Sequence, residues 1–311
     1  MITDLLTPTV LLGILTSGVR LATPYLYATI GETLGQLSGV LNLGVEGVML
    51  MGAYAGFYVT FRTGNPWLGL LGAVVLGAAM GLAMAVISVT LKAEQGISGI
   101  GVYLFGLGMS DLLFQKTLGT VETVRGFPPV PIPFLADLPV IGPALFQHNL
   151  LVYGAFLLVP VSWFVIFRTP WGLMIRAVGQ NPAAADAMGV SVVRVRYVTL
   201  TVGGVLSSVA GASLSIALLN VFQQNLTSGM GFIAVALVYF GGWRPGGALL
   251  GSLLFSSVNS LQNWVQVKGI PIPAEYAVMM PYVLTILALI FAVRKVDVPA
   301  ALTKPFERGE G

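Results

Sequence analysis

Long apolar stretches with few charges follow one another along most of this chain. A helix that crosses the hydrocarbon core of a bilayer needs about 20 mostly apolar residues. Six stretches of roughly that length hold no charged residue: 68–91, 150–167, 197–219, 226–243, 245–267 and 276–293. Three more hold one charge each: 8–30, 44–61 and 97–115. None alternates apolar and polar residues as the strands of a membrane barrel do. The pattern predicts an all-α polytopic membrane protein with nine transmembrane helices, formed as a single domain over 1–311.

The stretch GETLGQLSGVLNL, near 31–44, complicates this count. It is apolar enough to enter the membrane but carries several glycines, so we expect a broken, re-entrant helix there. A tenth, partial crossing at this point would move the N-terminus to the other side of the membrane.

Lysines and arginines indicate the orientation, because loops on the cytoplasmic side carry an excess of them. If 168–196 is cytoplasmic, nine crossings place ten Lys and Arg residues inside and four outside. This predicts an external N-terminus, an external loop at 119–148 and a cytoplasmic tail at 294–311. No Lys or Arg precedes residue 20, so the basic start of a cleavable signal peptide is missing and the first span is expected to remain as a helix.

Composition narrows the possible functions. Of the 311 residues, 56% are hydrophobic and 9% charged, and the net charge is +3, which leaves no basic face for nucleic acid. With no Cys and one His, the chain excludes zinc fingers, disulfide frameworks, thiol nucleophiles and His-based triads. No phosphate-binding G-x-x-x-x-G-K-[ST] motif occurs, so energy for any transport would enter through a partner. Thirty-nine glycines, some spaced like Gly77 and Gly81, predict close helix packing.

Two segments outside the predicted spans differ in character. The external loop 119–148 holds six prolines and is expected to be extended and packed back on the protein, either to dock an external partner or as a simple connector. The cytoplasmic segment 168–196 repeats a start signal, Thr169 before Pro170 and Asn181 before Pro182. Gly179 and Gly189 are then predicted to terminate these two helices. This predicts two short helices, 170–178 and 182–188, of which the second is alanine-rich and suited to a groove on another protein.

Polar residues inside predicted spans are candidates for a solute pathway. Asn42 and Glu46 lie one turn apart if the helix extends back that far, and both could supply acceptors to solute hydroxyl or amino groups. Alternatively, Glu46 caps a helix N-terminus, where the dipole favours an anion. Asn259 and Asn263 lie on one helix face and could bind a neutral polar solute, or hydrogen bond between helices.

Three runs carry a family resemblance: 39–57 (GVLNLGVEGVMLMGAYAGF), 175–192 (IRAVGQNPAAADAMGVSV) and 231–255 (GFIAVALVYFGGWRPGGALLGSLLF). Together they resemble the inner-membrane permeases of bacterial ATP-binding-cassette (ABC) importers. The likeness covers nearly the whole chain in the same order. It is closest to the branch for nucleosides, simple sugars and branched-chain amino acids, and within it to the permeases paired with nucleoside-binding lipoproteins.

The resemblance implies a translocation subunit rather than an enzyme, without a cofactor or metal. It implies a cytoplasmic ATPase that hydrolyses ATP, a second permease subunit that is a related distinct chain, and an external solute-binding lipoprotein. Asn42, Gly44, Glu46 and Gly47 match the family pattern at the translocation path. The pattern that contacts the ATPase is matched by Arg176, Gly179, Gln180, Asn181, Pro182, Ala184, Ala185 and Gly189.

The solute expected from this resemblance is a nucleoside, although the spacing reveals no aromatic pair to stack on a base. A sugar or branched-chain amino acid importer of the same family is the alternative. An ion-driven secondary transporter, a membrane enzyme and a membrane scaffold are the further rivals, but no nucleophile, acid–base pair or metal cluster supports an enzyme.

Overall fold

A computed structural model describes residues 7–139, 141–267 and 297–307, with isolated positions between 276 and 290. Within these residues the chain forms eleven α-helices and one pair of short strands. In chain order they are α1 (Pro8–Leu37), α2 (Val45–Thr63), α3 (Pro66–Ala85), α4 (Gln95–Thr117), β1 (Pro129–Pro131), α5 (Ile141–Leu145), β2 (Gln147–Asn149), α6 (Leu150–Arg168), α7 (Pro170–Gln180), α8 (Pro182–Ala187), α9 (Val192–Ser213), α10 (Met230–Gly241) and α11 (Pro245–Val267). A π-helical turn extends α3 over Val86–Thr90, and another extends α9 over Leu214–Leu218.

Local sequence sets where several helices begin. Proline stands in the first turn of α3, α7 and α8, where its missing N–H costs nothing. The residue before each of these prolines, Asn65, Thr169 or Asn181, accepts a hydrogen bond from a backbone N–H of the new helix. The helices therefore start where short-range rules place them.

Helix α9 is the centre of the bundle and packs against α1, α2 and α3. Close approach is possible because small residues meet at these crossings. A Cβ atom at Gly77 of α3 would overlap the Gly204 carbonyl of α9. A Cβ atom at Gly211 of α9 would overlap the Met49 carbonyl of α2. The predicted role of the spaced glycines as packing surfaces is therefore what the structure shows at these crossings.

Five of the described helical segments are long and apolar enough to cross a membrane: Val10–Leu37, Pro66–Thr90, Gln95–Thr117, Leu150–Arg168 and Val192–Leu218. The prediction of a full crossing helix at 226–243 is wrong, because α10 has only 12 residues and the chain before Met230 is not helical. Ser228 and Gly229 both have a left-handed backbone conformation, so the helix begins only after them, at Met230. The predicted span 276–293 lies outside the continuously described residues. The structure thus shows a polytopic helical membrane protein. The described residues do not confirm the expected count of nine or ten crossings.

The predicted break near 31–44 is shorter than expected. Helix α1 continues through Leu37, and the chain leaves helical conformation only over 38–44, which we call the break. Gly39 has φ +91°, a left-handed conformation that ends the helix. The first half of the predicted segment is helical because it packs on neighbouring helices, as Gly31 does against Gly203.

The bundle has two distinct ends. One end, which we call the basic end, carries seven of the described Lys and Arg residues: Lys92, Arg168, Arg176, Arg194, Arg196, Arg244 and Lys304. The break, helices α7 and α8, and the segment 297–307 all lie there. Glu94 caps α4 at this end, where the N–H groups of Ile97 and Gly96 hold the pKa of its carboxyl below the usual value.

The opposite end, which we call the proline-rich end, is formed around 119–149. Strand β1 pairs antiparallel with β2, so the chain is not strictly all-α as expected. Thr123 forms an isolated bridge with Val221, and the N–H of Phe127 donates to the Ile216 carbonyl at 2.9 Å. The loop is folded back on the bundle rather than extended into solvent.

Candidate functional site

A cavity of about 240 Å³ opens between α1, α10 and α11. Its lining combines amide and hydroxyl groups with an apolar wall, and none of the described lining residues is charged: Tyr25, Leu226, Thr227, Ser228, Met230, Ile233, Phe255, Asn259, Gln262 and Tyr282. Such a site suits an uncharged solute that has both hydrogen-bonding groups and an apolar surface.

An aromatic pair forms part of this wall. The rings of Tyr25 in α1 and Phe255 in α11 pack edge to face, with centroids 5.1 Å apart. The tyrosine hydroxyl interacts with the side chain of Asn259. Sequence reasoning missed this pair because its members are 230 positions apart and no periodicity joins them.

The two asparagines predicted on α11 are placed differently. Asn259 lines the cavity, whereas Asn263 is exposed and does not. Gln262, one residue before Asn263, lines the cavity instead. Residues 259 and 262 are three apart, so they share a helix face as closely as residues four apart do. The structure therefore brings Asn259 and Gln262 together and leaves Asn263 outside.

Glu46 is fully buried in the first turn of α2, and its carboxylate lies at the N-terminus of α10. Its Oε1 accepts hydrogen bonds from the Thr227 hydroxyl at 2.6 Å and the Gly229 N–H at 2.7 Å. Its Oε2 accepts one from the Gly231 N–H at 2.6 Å. The geometry is that of a helix cap, but the capped helix belongs to a distant part of the chain.

Asn42 does not share a helix face with Glu46, because α2 begins only at Val45 and Asn42 lies in the break. Its side-chain oxygen accepts a hydrogen bond from the Gly44 N–H at 2.9 Å, which closes a local turn. Its backbone N–H donates to the Glu32 carboxylate at 3.0 Å. Asn42 thus shapes the backbone that leads to Glu46.

Buried polar groups that sequence reasoning overlooked hold the break in place. Glu32 also accepts a hydrogen bond from the Gln36 amide at 2.9 Å, and Gln36 in turn accepts one from the indole N–H of Trp243 at 2.9 Å. On the other side, Arg196 donates to the carbonyls of Ser38 and Lys304, each at 3.1 Å. Helices α1 and α9, the end of α10 and the segment 297–307 therefore all meet at the break.

The two helices predicted in 168–196 are present, with ends within two residues of the expected ones. Helix α7 runs to Gln180 and α8 to Ala187. Asn181 caps α8 by accepting a hydrogen bond from the Ala184 N–H at 3.0 Å. Gly189 has φ +83°, so its predicted role as a terminator of the second helix is confirmed.

Gly179 was expected to terminate the first helix, and that expectation is wrong. It lies inside α7, and a Cβ atom there would overlap the Leu37 carbonyl at the end of α1. The glycine is required by close packing rather than by backbone conformation. This contact fixes α7 directly against the break.

Side chains on α7 and α8 divide into a buried and an exposed set. Ala185 is buried, and Arg176 is half-buried with its guanidinium over the Phe167 ring at 5.3 Å. The exposed set includes Trp171, Leu173, Gln180, Asn181, Ala184, Met188 and Gly189, and Pro182 is half-buried. Met188 is 85% exposed, so a largely apolar surface faces outward at the basic end.

The described residues contain no group of three or more His, Asp or Glu side chains placed to hold a metal ion. The described residues instead form a cavity with an uncharged lining, and helices α7 and α8 form an exposed elbow at the basic end.

Comparison with known proteins gives the class. The chain matches the family described as branched-chain amino acid transport system / permease component over residues 14–289, and it belongs to that family. It is therefore a permease subunit of an ABC importer, a multi-pass membrane protein that translocates a solute rather than transforming it.

Individual relatives cover almost the full chain. The guanosine ABC transporter permease protein NupQ of Bacillus subtilis is 34% identical over 93% of this chain and 94% of its own length. The nucleoside ABC transporter permease protein NupC of Lactococcus lactis is 34% identical over 90% of this chain and 92% of its own. A Haloferax volcanii protein, provisionally named a glucose ABC transporter permease, TsgC13, is 38% identical over 95% of this chain and 98% of its own. No solved structure matches significantly.

Proposed function

We propose that this permease moves a nucleoside into the cell through the cavity lined by Tyr25, Asn259 and Gln262. The absence of charge among the described lining residues of that cavity carries the proposal. An amino acid has two charged groups that need counter-charges when removed from water, whereas a nucleoside is neutral.

The shape of the lining favours a nucleoside over a sugar. Amides of Asn259 and Gln262 can pair with base edges or ribose hydroxyls, and the apolar wall with Phe255 can cover a flat base. A sugar presents hydroxyl groups on most of its edges and would leave several unpaired against that wall. The relatives named for guanosine and nucleoside transport support the same choice.

A sugar is the second candidate, because the relative provisionally named for glucose is also similar over nearly the whole chain. Competition between uridine, guanosine and glucose for binding to the importer would distinguish a nucleoside permease from a sugar permease.

Orientation follows from the distribution of charge. Seven described Lys and Arg residues lie at the basic end and four, Arg20, Arg62, Lys116 and Arg125, at the proline-rich end. By the positive-inside rule the basic end is cytoplasmic. The chain then lies in the bacterial inner membrane with the segment 119–148 outside, where a solute-binding lipoprotein would dock, and with the tail from 294 inside.

The helical elbow formed by α7 and α8 is the proposed contact with a cytoplasmic ATPase. Its outward side chains, including Leu173 and Met188, are apolar and have no cover in the described chain. Asn181 and Gly189 fix the shape of the elbow by capping and ending α8. Movement of the ATPases would reach the break through the Gly179 contact with Leu37. A second, related permease subunit would complete the translocation path.

Asn259→Ala and Asn263→Ala form a matched pair for testing the cavity. Both remove one amide from α11, but only Asn259 lines the cavity. In proteoliposomes containing the assembled importer, Asn259→Ala should raise the nucleoside concentration that gives half-maximal stimulation of ATP hydrolysis about fivefold, since one lost hydrogen bond costs roughly 1 kcal/mol. Asn263→Ala should leave it unchanged, and equal effects of the two variants would contradict the proposed site.

The elbow is tested separately. Ala184→Trp places a bulky ring on its exposed surface, while Ala79→Trp places the same ring on an exposed part of α3. We expect the first to abolish ATP-dependent uptake with normal amounts of protein in the membrane, and the second to be active. Uptake at the normal rate in Ala184→Trp would disprove the coupling role. Uptake that survives ATP depletion but collapses with an uncoupler would instead indicate an ion-driven transporter.

A further inference from the structure

The start of α10 has the features of an anion-binding site. Three donors converge there, the Thr227 hydroxyl and the N–H groups of Gly229 and Gly231, and all point at one carboxylate. The N–H groups at a helix N-terminus have no intrahelical partners, and the helix dipole adds partial positive charge. Anions bind readily to such a terminus.

This terminus lies deep in the bundle. At 1.5 Å per residue, the 12 residues of α10 span about 18 Å. Its other end reaches the basic end, where Trp243 bonds to Gln36. A helix of this length covers little more than half of a hydrocarbon core about 30 Å thick. The donors therefore lie at the depth of the hydrocarbon core, and the carboxylate that they bind is shielded from solvent, so their interaction with it is strong.

The chain fills this position with its own anion. Glu46 is 1% exposed, and the two backbone N–H groups that it accepts from can only donate, as a carboxylate requires. The cavity lies beside it, because Thr227, Ser228 and Met230 line the cavity and belong to the same turn. Tyr25, across the cavity, lies within electrostatic range of the Glu46 carboxylate.

We propose that Glu46 occupies an anion site at the start of α10 and thereby restricts the pathway to uncharged solutes. This rests on the proposed function, since it concerns which solutes the same cavity admits. With the carboxylate in place, the helix dipole is neutralised and a phosphorylated solute meets a negative charge instead of three free donors. A nucleoside passes, and its 5′-monophosphate is rejected.

The anion site itself can be tested without any solute. Glu46→Ala opens the three donors, and formate is a probe small enough to replace the lost carboxylate. For the full chain in nanodiscs, we expect millimolar formate to raise the melting temperature of Glu46→Ala by several degrees in a saturable manner, and chloride at the same ionic strength to do so less. Wild type, and Thr227→Val as a control that retains Glu46, should not respond. Equal responses in all three proteins, or none in Glu46→Ala, would overturn the anion site.

Selectivity needs a second variant that keeps the shape of the side chain. Glu46→Gln removes the charge, and in the assembled importer we expect uridine 5′-monophosphate to inhibit uridine-stimulated ATP hydrolysis at a concentration about tenfold lower than in wild type, an effect of one nearby charge. An unchanged inhibition constant would overturn the selectivity role. If wild type binds no nucleoside at all, the proposed function fails, while the formate response still decides whether Glu46 fills an anion site.

Discussion

The backbone N–H of Ala301 donates to the carbonyl oxygen of Gly179 across 2.9 Å, which ties the C-terminal segment to α7. Two further contacts extend this attachment: the Thr303 N–H donates to the Gly39 carbonyl at 3.2 Å, and the Lys304 carbonyl accepts from Arg196. The segment 297–307 thus joins the elbow to the break. It is part of the packed structure and not a loose tail.

Ala301→Pro should loosen this attachment, because proline has no N–H to donate. We expect a loss of about 1 kcal/mol in the free energy of unfolding, the net worth of one hydrogen bond, together with weaker coupling between ATP hydrolysis and uptake. Melting temperature and the number of solutes moved per ATP measure the two effects. Ala301→Gly keeps the N–H and is the control; the same loss of coupling in both variants would show that the hydrogen bond is not responsible.

Gly179→Ala should push α7 away from α1. The added methyl group would overlap the Leu37 carbonyl, and overpacking of this kind costs about 1–3 kcal/mol. Gly101→Ala is the matched control, because nothing lies within 4 Å of a Cβ atom at that position on α4. Thermal unfolding should distinguish the two, and comparable melting temperatures would mean that the helices separate without strain.

Trp243→Phe should destabilise the polar network around the break. The change removes the indole N–H that Gln36 accepts at 2.9 Å and leaves a buried amide oxygen unpaired, at a cost of about 1–3 kcal/mol. Trp163→Phe serves for comparison, since Trp163 is 45% exposed on α6. A melting temperature as high as that of the Trp163 variant would argue that water replaces the lost donor.

His148 gives the stability of the proline-rich end a dependence on pH. It lies on β2, outside the membrane-spanning helices, and burial lowers its pKa below the usual 6.5, with a smaller opposing contribution from its hydrogen bond to the Ala144 carbonyl. The unfolded chain therefore takes up a proton near pH 6.5 while the folded chain does not. Stability is complete above that pH and falls as the pH drops towards the lower native value.

His148→Gln should flatten this dependence, because the chain has a single histidine. Melting temperatures recorded between about pH 5 and pH 7.5 give the slope for each protein. Carboxyl groups contribute equally to both slopes, so the difference isolates His148. Parallel curves for wild type and variant would rule out this histidine as the cause.

Local rules account for the elements that the sequence predicted best. The starts of α7 and α8 follow from a capping side chain and the proline after it, and the structure has them where these rules place them. Long apolar windows likewise predicted the spanning helices, since membrane insertion depends on length and composition. The break was predicted in the right place but too long, because Gly31 to Leu37 are kept helical by packing on α9.

Contacts between distant segments explain what could not be predicted. Tyr25 meets Phe255, and Glu46 meets Thr227, only after helices from different parts of the chain have packed together. Glu32 and Arg196 were overlooked because both lie just outside the predicted spans, where charged residues are expected. For Asn263, spacing along one helix identified a shared face, but not which part of that face borders the cavity.

The segment 219–229 precedes the short helix α10 and carries exposed Gln223, Gln224, Asn225 and Ser228 down to the level where that helix begins. Irregular backbone at such depth is tolerated only where it is buried in protein or lines a water-filled cavity. Because these four side chains are exposed, we expect a water-filled cavity to reach this level from the proline-rich end. The apolar barrier to a polar solute would then span only the remaining half of the bilayer. The conformational change would have to open only that part of the translocation path.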